Sequence, residues 1–122
     1  MGTRSAQRFS RGLADALRLP RTAARIVELL ARSSRQLSVQ EIVSRVRMSE
    51  RSVRGNLALL LRRGILERRV VITATKRLAY LYRLRPADDL VAAVRVQFTK
   101  SLATIRRHAR RISPRSASSS RN

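Results

Sequence analysis

Leu37-Ser38-Val39-Gln40-Glu41-Ile42 and Met48-Ser49-Glu50-Arg51-Ser52-Val53 are two helix starts set close together, and the segment holding them, 37–66, decides the fold. In the first, Ser38 stands as an N-cap and Glu41 closes a capping box. Leu37 and Ile42 occupy the two positions of a hydrophobic staple. In the second, Ser49 caps, and Met48 and Val53 form the staple. Gly64 supplies a left-handed stop after the second helix. Two stapled helices joined by a turn of about three residues make a helix-turn-helix.

Working outward, apolar residues at i, i+3, i+4 and i+7 mark three core helices. Ala23, Ile26, Val27 and Leu30 predict one over 22–33. Val39, Ile42, Val43 and Val46 predict the next over 39–46. Val53, Leu57, Leu60 and Leu61 predict the third over 50–63. Upstream, Phe9, Leu13 and Leu17 are spaced for an amphipathic helical arm that Pro20 ends. After Gly64 the period changes to that of strands. Arg69-Val70-Val71-Ile72-Thr73 is β-branched, and Leu78, Tyr80, Tyr82 and Leu84 alternate along a second arm, with Thr73–Lys76 as a turn of open type. A hairpin directly after a helix-turn-helix is a wing, and its two tyrosines are expected to pack against the helices. Pro86-Ala87-Asp88-Asp89 restarts a helix with its carboxylates at the positive dipole end. That helix is expected over 89–112. Val91, Val94, Phe98, Leu102, Ile105, Ala109 and Ile112 form a seam along it that resembles a coiled coil interrupted once.

The fold class is therefore mainly α with a small β-hairpin, a winged helix-turn-helix with a long C-terminal helix. Its parts are an N-terminal helical arm (1–20), the winged domain (21–85), a dimerisation helix (86–112) and a disordered basic, serine-rich tail (113–122).

Composition says what kind of partner to expect. The chain has 122 residues, 28 of them Lys or Arg against 7 Asp or Glu, for a net charge of +21. Lys76 and Lys100 are the only lysines. Guanidinium groups grip phosphates with paired hydrogen bonds and read guanine edges, although a GC-rich genome produces the same arginine bias. Residues 22–85 alone hold 15 basic and 4 acidic side chains, so the folded centre is at +11 and cannot disperse its charge as a tail would. With no cysteine, a zinc site or a disulfide framework is not expected. No apolar run reaches membrane-spanning length and no secretory signal is legible. The expectation is a cytoplasmic, nucleoid-associated protein without a membrane partner.

Catalysis has little support. The single histidine, His108, lies among Arg106, Arg107, Arg110 and Arg111. The seven carboxylates offer no spacing for a metal site, a nucleophile elbow or a phosphate loop. No enzyme, metal or cofactor is expected.

The third core helix carries the candidate interface. Arg51, Gly55, Ala58 and Arg62 point away from its buried side, with Ser52, Arg54, Asn56 and Leu59 on the flanks. Arg51 or Arg54 can read guanine, Asn56 can read adenine, and Gly55 lets the backbone come close. Ser49, Ser52 and Arg62 are placed for phosphates. At the wing tip, Thr75, Lys76 and Arg77 can reach a flanking minor groove or its phosphates. An ordinary solvated face is the plain alternative for both surfaces. Val91, Val94, Phe98, Leu102, Ile105 and Ile112 are the candidate dimerisation residues, with a helix folded back on the core as the alternative. Arg106, Arg107, Arg110 and Arg111 fit a further phosphate patch or a favourably charged helix end equally well.

Leu17-Arg18-Leu19-Pro20-Arg21-Thr22-Ala23-Ala24-Arg25-Ile26, Ser38-Val39-Gln40-Glu41-Ile42 and Met48–Val53 through Leu61-Arg62-Arg63-Gly64-Ile65-Leu66 resemble prokaryotic winged helix-turn-helix transcriptional regulators of the archaeal TrmB type and the MarR type. The resemblance covers Leu17 to about Leu84. It implies Ser49, Arg51, Ser52, Gly55 and Asn56 on a recognition helix and Lys76 and Arg77 on the wing. Nothing matches the sugar-binding domain of longer TrmB-type proteins, and no small-molecule effector is expected. The reading is a homodimeric, sequence-specific regulator of double-stranded DNA. Its rivals are a non-specific architectural nucleoid protein and an RNA-binding winged helix.

Overall fold

Specific side chains and backbone turns decide where most helices start and stop in the computed structural model, which describes residues 3–112. The stretch 113–122, expected above to be a tail, lies outside the described residues. The order is α1 (Thr3–Leu17), α2 (Arg21–Arg32), β1 (Leu37–Ser38), α3 (Val39–Val46), α4 (Glu50–Arg62), β2 (Leu66–Ile72), β3 (Leu78–Leu84) and α5 (Ala87–Ile112).

The capping box at α3 is complete. Ser38 Oγ accepts from Glu41 N–H at 3.2 Å, and Glu41 Oε1 accepts from Ser38 N–H at 3.1 Å. Ser49 Oγ accepts from Ser52 N–H at 3.1 Å and caps α4. Between them the chain reverses through Arg47, whose φ of +56° places an arginine in left-handed backbone. At the far end of α4, Gly64 at φ +74° lets its own N–H reach Leu61 C=O and the Ile65 N–H reach Leu60 C=O, closing a Schellman motif. Arginines finish two other helix ends. Arg63 donates to Leu17 C=O of α1 at 2.7 Å, and Arg25 donates to Val46 C=O of α3. Both groups satisfy carbonyls that a helix terminus leaves without partners.

α2, α3 and α4 pack on one another around Ile26, Val27, Ile42, Val53, Leu57 and Leu60, all fully buried. Leu61, expected in this core, is only half-buried at its edge. α1 closes the same core with Leu13 and Leu17, and Leu90 of α5 seals it from below. Leu90 escaped the sequence reading because the seam was started one residue later, at Val91.

The expected hairpin is present as β2 and β3, and a third strand joins it. β1 pairs with β3 through Leu37↔Tyr82 and Ser38↔Leu81, giving a three-stranded antiparallel sheet in the order β1-β3-β2. A two-residue strand carries no alternation to see, and Leu37 serves both as strand and as staple. The long register Leu66↔Leu84 to Ile72↔Leu78 holds β2 against β3. The tyrosines also part company. Tyr82 is buried, but Tyr80 is 39% exposed and Leu78 is 73% exposed, because the wing extends beyond the helices. The expected packing of Tyr80 on the core is therefore replaced by a cation–π contact, with the Arg68 guanidinium 4.2 Å from the ring centre.

α5 runs 26 residues, about 39 Å at 1.5 Å per residue. It starts two residues earlier than expected. Val94 leans on the core, and from Ala103 to Ile112 every residue is exposed. No helix among the described residues is long and apolar enough to cross a membrane.

The Arg35 guanidinium and the Ser38 N–H hold the Glu41 carboxyl well below its ordinary value of 4.5, at about 2. A depressed carboxylate stabilises the fold above its unfolded value and loses that contribution as pH falls through its folded one. Thermal melts of Glu41→Gln should therefore show a deficit at neutral pH that closes between pH 4.5 and about 2. Ser38→Ala should instead cost about 1 kcal/mol, most of which persists at acid pH because the lost cap is to a backbone N–H.

Candidate nucleic-acid interface

The outer surface of α4 is set by what its inner surface must bury. With Val53, Leu57 and Leu60 turned into the core, Arg51, Arg54, Gly55, Ala58 and Arg62 are all exposed. No described segment of the chain lies over them. This is a bare, cationic strip about 16 Å long, from 11 residue steps of 1.5 Å each.

Its N-terminal end is fixed by a small polar network. Glu50 accepts from Arg54 Nε at 3.0 Å and from Gln40 Nε2 of α3 at 3.1 Å. Both contacts hold its carboxyl below the usual range, the arginine more strongly. The network ties the two helices across their turn, beside the half-buried Met48, which packs against the core. Ser49 Oγ is engaged as an acceptor by the cap, which leaves its hydrogen free to donate. Ser52 is half-buried, with its hydroxyl 3.9 Å from Met48 Sδ.

Asn56 is more committed than its sequence position indicates. Its Oδ1 accepts from Thr22 Oγ1 of α2 at 3.1 Å, and its Nδ2 donates to Ser52 C=O at 2.8 Å. The amide fastens α4 to α2, which leaves each of its polar atoms one further hydrogen bond for a base edge. Arg54 shares its guanidinium with Glu50, whereas Arg51 and Arg62 have no carboxylate within ion-pair distance among the described residues. Beside Gly55 the space is open, with no atom within 4 Å of the position a Cβ would take.

The wing tip is a three-residue loop. Lys76 N–H reaches Thr73 C=O at 2.9 Å, Thr73 N–H reaches Arg77 C=O at 2.9 Å, and Lys76 sits at φ +59°. This is a type I turn followed by a left-handed residue, a position where glycine is the easier choice. Thr73 Oγ1 accepts the Arg77 N–H at 3.2 Å and pairs with Thr75 Oγ1 at 3.0 Å. Thr75, Lys76 and Arg77 are exposed. Arg68 and Arg69 on β2 extend this basic edge back toward the body. The sequence reading passed over them, although the adjacent pair in the middle of the strand was a usable signal.

The candidate dimerisation residues divide by depth along α5. Val91, Phe98, Ile105 and Ile112 are exposed, Phe98 by 66% and Ile112 by 78%, while Val94 and Leu102 are half-buried.

With this geometry in hand, solved structures supply a comparison. A possible transcriptional regulator from Methanosarcina mazei Go1 superposes with a TM-score of 0.70 at 11% identity, over 82% of this chain and 84% of that one. A MarR-family transcriptional regulator from Silicibacter pomeroyi gives 0.50 at 16% identity, over 90% and 84% of the two chains. A mutant of S. aureus MepR bound to an oligodeoxyribonucleotide gives 0.50 at 15% identity, over 97% and 83%. No protein-family profile matches the sequence, and no curated protein matches it. At these identities the likeness is one of fold: the chain is a winged helix-turn-helix of the kind seen in MarR-family regulators.

Gly55→Ala separates the strip from the fold. Alanine in an exposed helix interior gains about 1 kcal/mol over glycine, so the melting temperature should rise. Affinity for duplex DNA should fall if the backbone at Gly55 approaches the groove closely. Unchanged affinity by fluorescence anisotropy would place that approach elsewhere.

Proposed function

We propose that the protein is a homodimeric, sequence-specific DNA-binding transcriptional regulator that occludes or recruits at a promoter and performs no chemistry on the DNA. The observation that carries this reading is the bare cationic face of α4 with the wing tip Thr75–Arg77 beyond it. A major groove about 12 Å wide admits one helix. In this reading Arg51 and Arg54 read base edges from the N-terminal half of α4. Ser49, Ser52 and Arg62 hold phosphates, Gly55 allows the close approach, and Asn56 acts by holding the helix in position. Lys76 and Arg77 contact the flanking backbone. The oligonucleotide in the MepR structure supports the choice of DNA as partner.

Dimerisation is supported by the uncovered stripe of Val91, Phe98, Ile105 and Ile112 on a helix whose last ten residues are exposed throughout. A second α5 laid against it removes that surface from water. It also sets two recognition helices facing successive major-groove turns, about 34–36 Å apart. The arm, winged domain and dimerisation helix are then successive working parts of one chain.

A second reading, a non-specific architectural protein, has one observation in its favour. Only four arginines form ion pairs among the described residues, so positive charge extends well beyond the α4 face. The two readings diverge in competition assays. A regulator prefers its operator by about 10³-fold or more over random duplex, whereas an architectural protein shows little preference and a steep salt dependence.

Two substitutions test the site. Arg51→Ala should relax base preference at one position of a selected operator, by about 1–3 kcal/mol, while Lys76→Ala should weaken all sequences about equally. Effects on stability alone, with DNA binding untouched in both, would remove these residues from the interface. For the dimer, Phe98→Glu should give a monomer by sedimentation with helical content retained. Its affinity for a palindromic site should drop at least ~100-fold as the two half-sites lose their coupling.

A further inference from the structure

A second basic surface stands apart from α4 and the wing. α2, α3 and α4 are mutually packed, and the groove between α2 and α3 is lined by no residue of α4 or the wing. That groove encloses about 480 Å³ and is lined by Arg25, Arg32 and Arg45, with Ser33 and a single carboxylate residue, Glu28. Leu29 and Val46 form its floor. On α2, Arg21, Arg25, Glu28 and Arg32 fall within a narrow stripe directly opposite the buried Ala23, Ile26, Val27 and Leu30. Arg21, Arg25, Arg32, Arg45 and Arg47 are all exposed. Arg32 and Arg45 have no carboxylate within ion-pair distance among the described residues. Arg25 is anchored through its bond to the Val46 carbonyl, so one guanidinium is already held at the mouth of the groove.

From these features we infer that the α2–α3 groove is a second binding site for a phosphodiester backbone, taken from another DNA duplex while α4 and the wing hold the first. The inference rests on the reading of α4 given above. Charge complementarity selects the occupant. Several guanidiniums face one carboxylate, an arrangement that repels itself until an anion enters. The row from Arg25 to Arg32 is longer than a small anion needs. It spans 7 residue steps, about 10 Å, and a duplex presents one phosphate charge per ~1.7 Å of its axis. No aromatic side chain lines the groove, so it lacks the stacking platform that single strands require. A charged row without a base-reading or base-stacking element fits duplex backbone. One protomer then touches two duplexes through separate surfaces and can bridge them.

A capture assay with the full chain tests this. Unlabelled operator duplex is fixed to beads, protein is added, and a dye-labelled second duplex is offered at low salt. Wild type should retain the labelled duplex and release it as salt rises. The double variant Arg32→Gln/Arg45→Gln, which spares the anchored Arg25, should capture at least ~10-fold less, with its salt slope lower by about 1.8 for two lost phosphate contacts. Its affinity for a single duplex should stay within about twofold, and circular dichroism should match wild type. Unchanged capture by the variant overturns the inference, because bridging would then run through the two recognition helices of a dimer. A parallel fall in single-duplex affinity also overturns it, placing these arginines on the first site. Displacement of the labelled duplex by polyglutamate as effective as by DNA of equal charge rejects a phosphodiester site in favour of an acidic protein partner. Protein retained on the beads without a second duplex defeats the inference alone, whereas protein not retained at all defeats the α4 reading and the inference with it.

Discussion

The strip of Val53, Leu57 and Leu60 along α4 is the constraint on which the molecule turns. These three side chains are buried against α2 and α3. At about 25 cal/mol per Å² of apolar surface removed from water, no surface contact in the domain competes with their burial. Once they are committed inward, the 3.6-residue period leaves Arg51, Gly55, Ala58 and Arg62 outward. The caps at Ser38 and Ser49 and the left-handed turn at Arg47 and stop at Gly64 fix where the helices begin and end. The basic face is thus a consequence of core packing, held rigid by helices on its inner side.

Arginine serves two purposes here, and the structure separates them. Arg25 and Arg63 finish the carbonyl ends of α3 and α1, each a contact between helices far apart in sequence. Arg35, Arg54, Arg83 and Arg85 sit in exposed ion pairs worth little individually to stability. Most of the others among the described residues are spread over α1, α4, the wing edge, the α2–α3 groove and α5. A charge of +21 on 122 residues opposes compaction. Among the basic side chains of the described residues only Arg25, Arg35, Arg54, Arg63, Arg83 and Arg85 make hydrogen bonds, which fits a surface shaped for an anionic polymer.

Much of this was legible in the sequence because its signals are local. Ser38 with Glu41, Ser49 with Glu50, and Gly64 mark helix ends within a few residues of where they act. The periodic runs around Ile26, Ile42 and Leu57 need only one helix each to interpret. What stayed hidden depends on distant partners. β1 is two residues long and exists because Tyr82 is opposite Leu37. Asn56 looked free because the hydroxyl that holds it, Thr22, is 34 residues away. Tyr80 and Tyr82 share a strand face, and only the reach of the wing past the helices gives one of them to solvent. Lys76 in left-handed backbone was unreadable for another reason, since nothing in Thr73-Ala74-Thr75-Lys76 carries the usual glycine or asparagine signal.

Amide chemical-shift mapping during titration with duplex DNA probes the central claim most directly. The account predicts that the largest shifts fall on residues 49–58 of α4 and 74–77 of the wing, with the core of α2 and α3 little changed. Shifts confined to the far end of α5, or scattered evenly over every basic surface, would contradict it.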